Sequence, residues 1–319
     1  MQLDALEAVR LGDSTQWIRV RGSDPSNPVL LLIQQGPGLP MINEVRRFEH
    51  LLALEQDFTV VYWDQRGCGR SLRSRRDQER ITLDLMVDDT VSLLERLRDR
   101  FGRAAHVAGF SMGATIGARA AACRPDLVTT LVAVSLDVDG VAAASNAYDF
   151  ALGTARRRGH TRAIRQLEAI GPPPHLTSKQ FGTRARWASE FGGVSANETY
   201  GSIGRGLLAS LLRSPDYTGW DIVRTFRGIT NTPADLLAEL ADLDLVRALP
   251  RLDVPVVMAQ GRQDQVAPGD AAQRYFDVLE APSKRFVWFE QSAHTPQLDE
   301  PGKFRELLMS VRAGQPVTT

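Results

Sequence analysis

The chain is poor in the residues that build several kinds of site. Two cysteines in 319 residues, Cys68 and Cys123, are too few for a disulfide framework, and we expect both to be reduced. No C-x-x-C or H-E-x-x-H pattern occurs, so a metal centre has no support in the sequence. Charge of one sign is not in excess: Lys+Arg and Asp+Glu both total 38. That removes the global positive field of a nucleic-acid or anionic-membrane binder, and neither partner is expected. Long apolar runs are missing too. Val29 to Ile33 is far too short to cross a membrane, and Met1 to Glu7 is acidic and lacks a signal-peptide core. The expectation is a cytoplasmic protein without metal or cofactor.

Histidine is scarce, which makes its positions informative. The five are His50, His106, His160, His175 and His294. His50 lies in a helical pattern, His106 inside a strand, and His160 and His175 in the polar middle of the chain. Only His294 follows a strand directly, after Arg285 to Phe289.

What is present begins with Gly109-Phe110-Ser111-Met112-Gly113. An apolar run, Ala104 to Ala108, precedes it, and an alanine-rich stretch from Ala114 to Ala122 follows. Strand, sharp turn, helix is the setting of a G-x-S-x-G nucleophile elbow. The flanking glycines let strand and helix approach closely, and the turn strains the serine backbone. Ser111 Oγ then stands at a helix N-terminus, where free N–H groups favour developing negative charge.

A nucleophilic serine needs a base, and the base needs an orienting carboxylate, in the order Ser, acid, His for this architecture. Val254 to Ala259 reads as a buried strand ending in Gly261-Arg262-Gln263-Asp264, which makes Asp264 the candidate acid and His294 the base. Asp137, after the run Leu131 to Leu136, is the alternative acid. An aspartate at a strand end is also a common turn former.

These residues, with the run Asp64-Gln65-Arg66-Gly67-Cys68-Gly69-Arg70-Ser71, resemble the α/β-hydrolase superfamily and, within it, the proline-iminopeptidase-like branch. The D-Q-R-G-x-G-x-S run is the more specific marker, and the resemblance spans roughly residues 28–135 and 250–312. It implies an α/β-hydrolase fold: a mostly parallel sheet with helices on both faces and an inserted helical cap. Residues 1–137 and 250–319 are the expected core, and 138–249 the cap. Asp64 and Ser71 read as structural, bonding their own turn. The branch carries H-G-G-P-G where this chain has Gln34-Gln35-Gly36-Pro37-Gly38. A backbone N–H at Gly36 can still face that of Met112 across an oxyanion. Gln35 and Phe110 are candidate substrate-lining residues, and Gln35 is strained if its position needs φ > 0.

The implied activity is serine hydrolysis of an ester or amide in a small molecule or short peptide. Proline iminopeptidase, a biosynthetic acyltransferase, thioesterase or cyclase, and a non-catalytic ligand receptor remain alternatives. Epoxide hydrolase and dehalogenase chemistry is disfavoured, since those place Asp where Ser111 stands. Oligomeric state is open.

Elsewhere the pattern is coarser. Residues 3–21 read as a hairpin, 42–56 and 82–100 as helices, and 301–312 as a last helix. In the cap, Thr161 to Ile170 and Pro233 to Leu249 have helical spacing, and Pro172 to Pro174 mark a loop. Tyr200 to Gly206 is glycine-rich without a preceding strand, so it reads as a lid segment or a close helix packing. The basic residues from Arg156 to Arg186 read as a solvated face, with attraction of an acidic substrate or a carrier protein as the alternative. Glu168, Glu190, Glu198 and Asp216 could bind a free amine, and Trp187, Tyr200, Tyr217 and Trp220 could line a pocket.

Overall fold

A computed structural model describes residues 2–73 and 79–314. The opening hairpin forms as its alternation predicts: β1 (Leu3–Leu11) and β2 (Ser14–Gly22) pair antiparallel about Gly12 and Asp13. In β2, Ser14, Gln16, Ile18 and Val20 are buried and their neighbours are half-buried, the period of a strand covered chiefly on one face. The next strands read differently. β3 (Val29–Ile33), β4 (Thr59–Asp64), β5 (Ala105–Phe110) and β7 (Val256–Gly261) are buried at every residue, and β6 (Val128–Val134) at all but one. Such unbroken burial belongs to parallel strands with both faces covered.

With β8 (Lys284–Phe289) they form one sheet of order β1-β2-β4-β3-β5-β6-β7-β8, parallel from β4 onward. Alternate residues serve opposite faces. Leu31, Val61, Val107, Leu131 and Met258 pack with Leu93, Ala114 and Tyr275 from the helices Leu83–Phe101, Met112–Cys123 and Gly269–Val278. Leu30, Tyr62, Ala108, Val132 and Val257 pack with Phe48 and Phe304 from Val45–Leu51 and Pro301–Arg312.

The D-Q-R-G run is a structural hub. Asp64 Oδ1 accepts from the Met41 and Ile42 N–H groups, and Oδ2 from Arg70 N–H and the Tyr217 hydroxyl. Arg66 forms a buried two-pronged pair with Asp89, and Ser71 Oγ donates to the Asp64 carbonyl while accepting from Trp17 N–H. The structural reading of Asp64 and Ser71 therefore holds, and extends beyond their own turn to the loop after β3.

Between β6 and β7 the chain runs through helices from Gly140–Arg157 to Leu245–Ala248. Several share a core of their own, with Tyr148, Leu152, Leu167, Trp187 and Phe191. Thr161–Ile170 matches its pattern. Two readings are corrected and a third, the close helix packing at Tyr200 to Gly206, is set aside. The 42–56 helix is broken at Ala53, whose φ is 48°, leaving a 3-10 turn on either side of Val45–Leu51. Pro233 to Leu249 splits at Asp242 to Asp244, where the Asp244 carboxylate caps a new helix. Tyr200 to Gly206 begins the helix Tyr200–Arg213 under a Thr199–Ser202 capping box, and a Cβ at Gly204 or Gly206 would meet open space. No close packing demands those glycines.

Candidate active site

The elbow is set by what glycine permits. Ser111 has φ 53° and ψ −124°, a region that costs a non-glycine residue about 1–3 kcal/mol. Ser111 N–H bonds the Val134 carbonyl at 2.8 Å, tying the turn to the end of β6. A Cβ at Gly109 would stand 2.4 Å from the Gly113 carbonyl oxygen, and one at Gly113 2.3 Å from that of Gln34. These contacts fix serine between two glycines and seat the helix Met112–Cys123 on the loop after β3. Met112 opens that helix, so its N–H has no intrahelical partner.

The candidate acid and base meet. Asp264, after β7, accepts from Val266 and Ala267 N–H groups on Oδ1, at 2.8 and 2.9 Å. Its Oδ2 lies 2.8 Å from His294 Nδ1, after β8, and takes a second bond from Gln260 Nε2 at 3.1 Å. This arrangement leaves the His294 Nε2 face free of the carboxylate. Burial pulls His294 down, but Asp264 and, more weakly, Asp137 push it further up, so it ends above its ordinary value of 6.5.

Asp137 is not on the histidine. Ser111 Oγ donates to Asp137 Oδ2 at 3.3 Å, and among the described residues no hydrogen bond joins Ser111 to His294. Burial raises the Asp137 carboxyl above the usual range, with the nearby His294 charge opposing. The two acids weighed from sequence thus occupy different places, one beside the base and one beside the serine.

Gly36 and Met112 line one cavity with Ser111 and Asp137, about 150 Å³ in volume. Its far walls are Ala143, Ala147, Ala188 and Leu240, with Phe181 and Arg184. The left-handed conformations fall on Gly36 (φ 65°) and Gly38 (φ 77°), so Gln35 carries no such strain. Gln34 turns away from the cavity and accepts from the Cys68 thiol at 3.0 Å. Gln35 and Phe110 line a second cavity, about 110 Å³, which shares Val194 with the first. A wider cleft of about 1060 Å³ is lined by Trp220 and Arg224 but by none of the predicted catalytic or oxyanion-hole residues.

Two features had no sequence signal. The strap Gly193-Val194-Ser195 leaves the helical stretch and clamps both loops: Gln265 N–H bonds the Gly193 carbonyl, His294 N–H bonds that of Val194, and Ser195 Oγ donates to Asp299. Arg184 is the other. It leaves the expected solvated face and enters the first cavity, donating to Nδ1 of His175, whose Nε2–H is held by the Gly171 carbonyl. Burial lowers Arg184 to about 10, which still leaves it charged at neutral pH. The four aromatics named for a pocket do not line either cavity. Trp187 is core, Tyr217 serves Asp64, and Tyr200 and Trp220 are exposed. Of the four carboxylates named for an amine, Glu198 lines the second cavity; Glu168 pairs with Arg156 and Asp216 with Arg19.

A model of the alpha/beta hydrolase family matches residues 37–307. A probable aminopeptidase of Bacillus subtilis is 29% identical over 306 residues, covering 95% of this chain and 94% of its own. Among solved structures, VinJ superposes with a TM-score of 0.67 at 21% identity, covering 97% of this chain and 98% of its own. A proline iminopeptidase-related protein of Thermus thermophilus gives 0.66 at 19% identity, covering 98% of each chain.

Proposed function

Because this chain belongs to the alpha/beta hydrolase family, we propose that it is a serine hydrolase that cleaves an ester or amide through Ser111, His294 and Asp264. The observation that carries the reading is the strained serine and the 2.8 Å Asp264–His294 bond at the carboxyl ends of the parallel strands β5, β7 and β8. On substrate binding Ser111 Oγ exchanges Asp137 for His294 Nε2, which takes its proton as Oγ attacks the carbonyl carbon. The oxyanion is held by the N–H groups of Gly36 and Met112. The carbon–leaving-group bond then breaks, and His294 returns the proton to the departing atom. Water, deprotonated by His294, releases the acid and restores the serine. Residues 138–249 act as a cap whose strap fixes the acid and base loops and whose helices limit substrate size.

A second reading, release of an N-terminal proline, draws support from relatives named aminopeptidase and proline iminopeptidase. It needs a carboxylate near the acyl carbon for the free amine. Asp137 stands there, but the Arg184 cation lies in the same cavity. Steady-state assays on short acyl esters beside proline and alanine anilides, with hydroxylamine to trap the acyl group, separate the two. Ester turnover with hydroxamate formation, both lost in Ser111→Ala, is the expected result. Turnover confined to prolyl anilide would install the second reading, and turnover that survives Ser111→Ala would overturn both.

A further inference from the structure

The second cavity is lined by polar atoms that the fold leaves unused. Gln297, two residues beyond Thr295 and only 3% exposed, makes no hydrogen bond through Oε1. Gln35 Oε1 and Glu44 Oε2 are buried in the same wall without a hydrogen-bond partner. Glu44 Oε1 is occupied, accepting from Asn43 Nδ2 at 2.6 Å. The nearest cation to Oε2 is Arg47 Nη1 at 3.8 Å, and Arg47 Nη2 is drawn to Glu198 at 3.1 Å.

Three residues that line one small space therefore each carry a buried side-chain oxygen without a hydrogen-bond partner among the described residues. Leaving a buried acceptor unserved costs about 1–3 kcal/mol, so their convergence calls for a group that brings donors. The charges lining the cavity agree: Glu44 and Glu198 against Arg47 leave one negative charge uncompensated. Burial raises the Glu44 carboxyl against the pull of Arg47 and Asn43, so a further cation beside it would favour its charged form.

We propose that Gln35, Glu44 and Gln297 form a subsite for a primary ammonium group on the leaving half of the substrate. This rests on the hydrolase reading above. An ammonium offers three N–H donors and one positive charge, matching the three oxygens and the net charge. Its place on the leaving half follows from the walls. The cavity is bounded by Thr295 and Gln297, next to the histidine that protonates the leaving atom, whereas the first cavity is alanine-lined and carries Arg184, which repels a second cation. The substrate class is an apolar acyl chain joined to an amine-bearing alcohol or amine.

The test begins with binding, which does not require catalysis. Pentylammonium and 1-pentanol are titrated calorimetrically into the full-length Ser111→Ala protein and into the same protein carrying Glu44→Gln, Glu44→Asp or Gln297→Leu, each checked for native circular dichroism. Pentylammonium is expected to bind about tenfold more tightly than pentanol, as a charge-assisted contact does, with the preference lost in Glu44→Gln and retained in part in Glu44→Asp. Equal affinities, or a preference untouched by Glu44→Gln, would overturn the subsite. The unsubstituted enzyme is then given 5-aminopentyl butyrate against hexyl butyrate, and ethyl 6-aminohexanoate against ethyl heptanoate. Preference for the amine on the alcohol half supports the assignment, and preference for it on the acyl half overturns it. Binding without turnover of any ester would keep the cation site and remove the hydrolase reading beneath it.

Discussion

At the carboxyl ends of β5, β7 and β8, the backbone itself does the positioning. Ser111 is trapped by a turn that only glycines can flank, and Asp264 is locked by two backbone N–H groups before it reaches His294. The helical stretch 138–249 contributes by other means. It supplies alanine walls, one inward arginine, and a strap of three residues bonded to the loops that carry Asp264 and His294. Strand ends are rigid because neighbouring strands over-determine them, and chemistry that tolerates little displacement belongs there. The helices between Gly140 and Glu190 share a small core of their own, whereas later ones pack on the sheet through Leu211 and Leu245, so the former are the natural place for selectivity.

If that division is right, substitutions at the strand ends should act on kcat, and substitutions in the helical stretch mainly on substrate choice. The largest expected effect is Ser111→Ala or His294→Ala, each lowering kcat by at least about 10⁴-fold in ester assays. Next, the two acids should separate. Asp264→Asn is expected to cost about 10³–10⁴-fold in kcat, because it unsettles the histidine tautomer, and Asp137→Asn about tenfold or less. Equal losses would erase the distinction drawn between them.

The strap is where the comparison can be broken. A Cβ at Gly193 would stand 2.9 Å from that of Gln265 and 3.1 Å from the Ala188 carbonyl oxygen. Gly193→Val should displace the acid and base loops and lower kcat by about 10²-fold, without contact to substrate. An unchanged kcat would show that the strand ends need no help from the helices. Arg184→Ala should leave kcat for a preferred ester nearly unchanged and alter relative kcat/KM across acyl chain lengths by about threefold to tenfold.

The smallest effect is on pH. His294 must be neutral to act as a base, and Asp264 and Asp137 hold it above 6.5, so the acid limb of kcat/KM should have its midpoint above that value. Asp264→Asn removes the larger of the two stabilising charges and should move the limb to lower pH. A limb that stays in place in this variant would mean that another group governs it.

Much of the sheet was legible because its signals are local. Five successive buried residues in β3, the period-two burial of β2 and the glycines around Ser111 each announce their structure within a few residues. The same holds for Asp264 and His294, whose strands end just before them. Arg184 was not legible, since its helix carries several arginines and nothing in the spacing marks the one that turns inward. Gly193 to Ser195 act through backbone carbonyls and a single hydroxyl, which leave no trace in residue type. Gln297 lay close to His294 in sequence, yet its significance depends on Gln35 and Glu44, more than 250 residues away in the chain. Local chemistry can be read from sequence; convergence of distant segments cannot.

The central claim is that Ser111 is an activated nucleophile held by His294 and Asp264. Labelling by a fluorophosphonate probe, mapped by mass spectrometry, tests it most directly. A single adduct on Ser111 is expected, which disappears in Ser111→Ala, falls sharply in His294→Ala and Asp264→Asn, and persists in Asp137→Asn. An adduct that depends on Asp137 and is indifferent to Asp264, or a folded protein that takes no label at any pH, would contradict it.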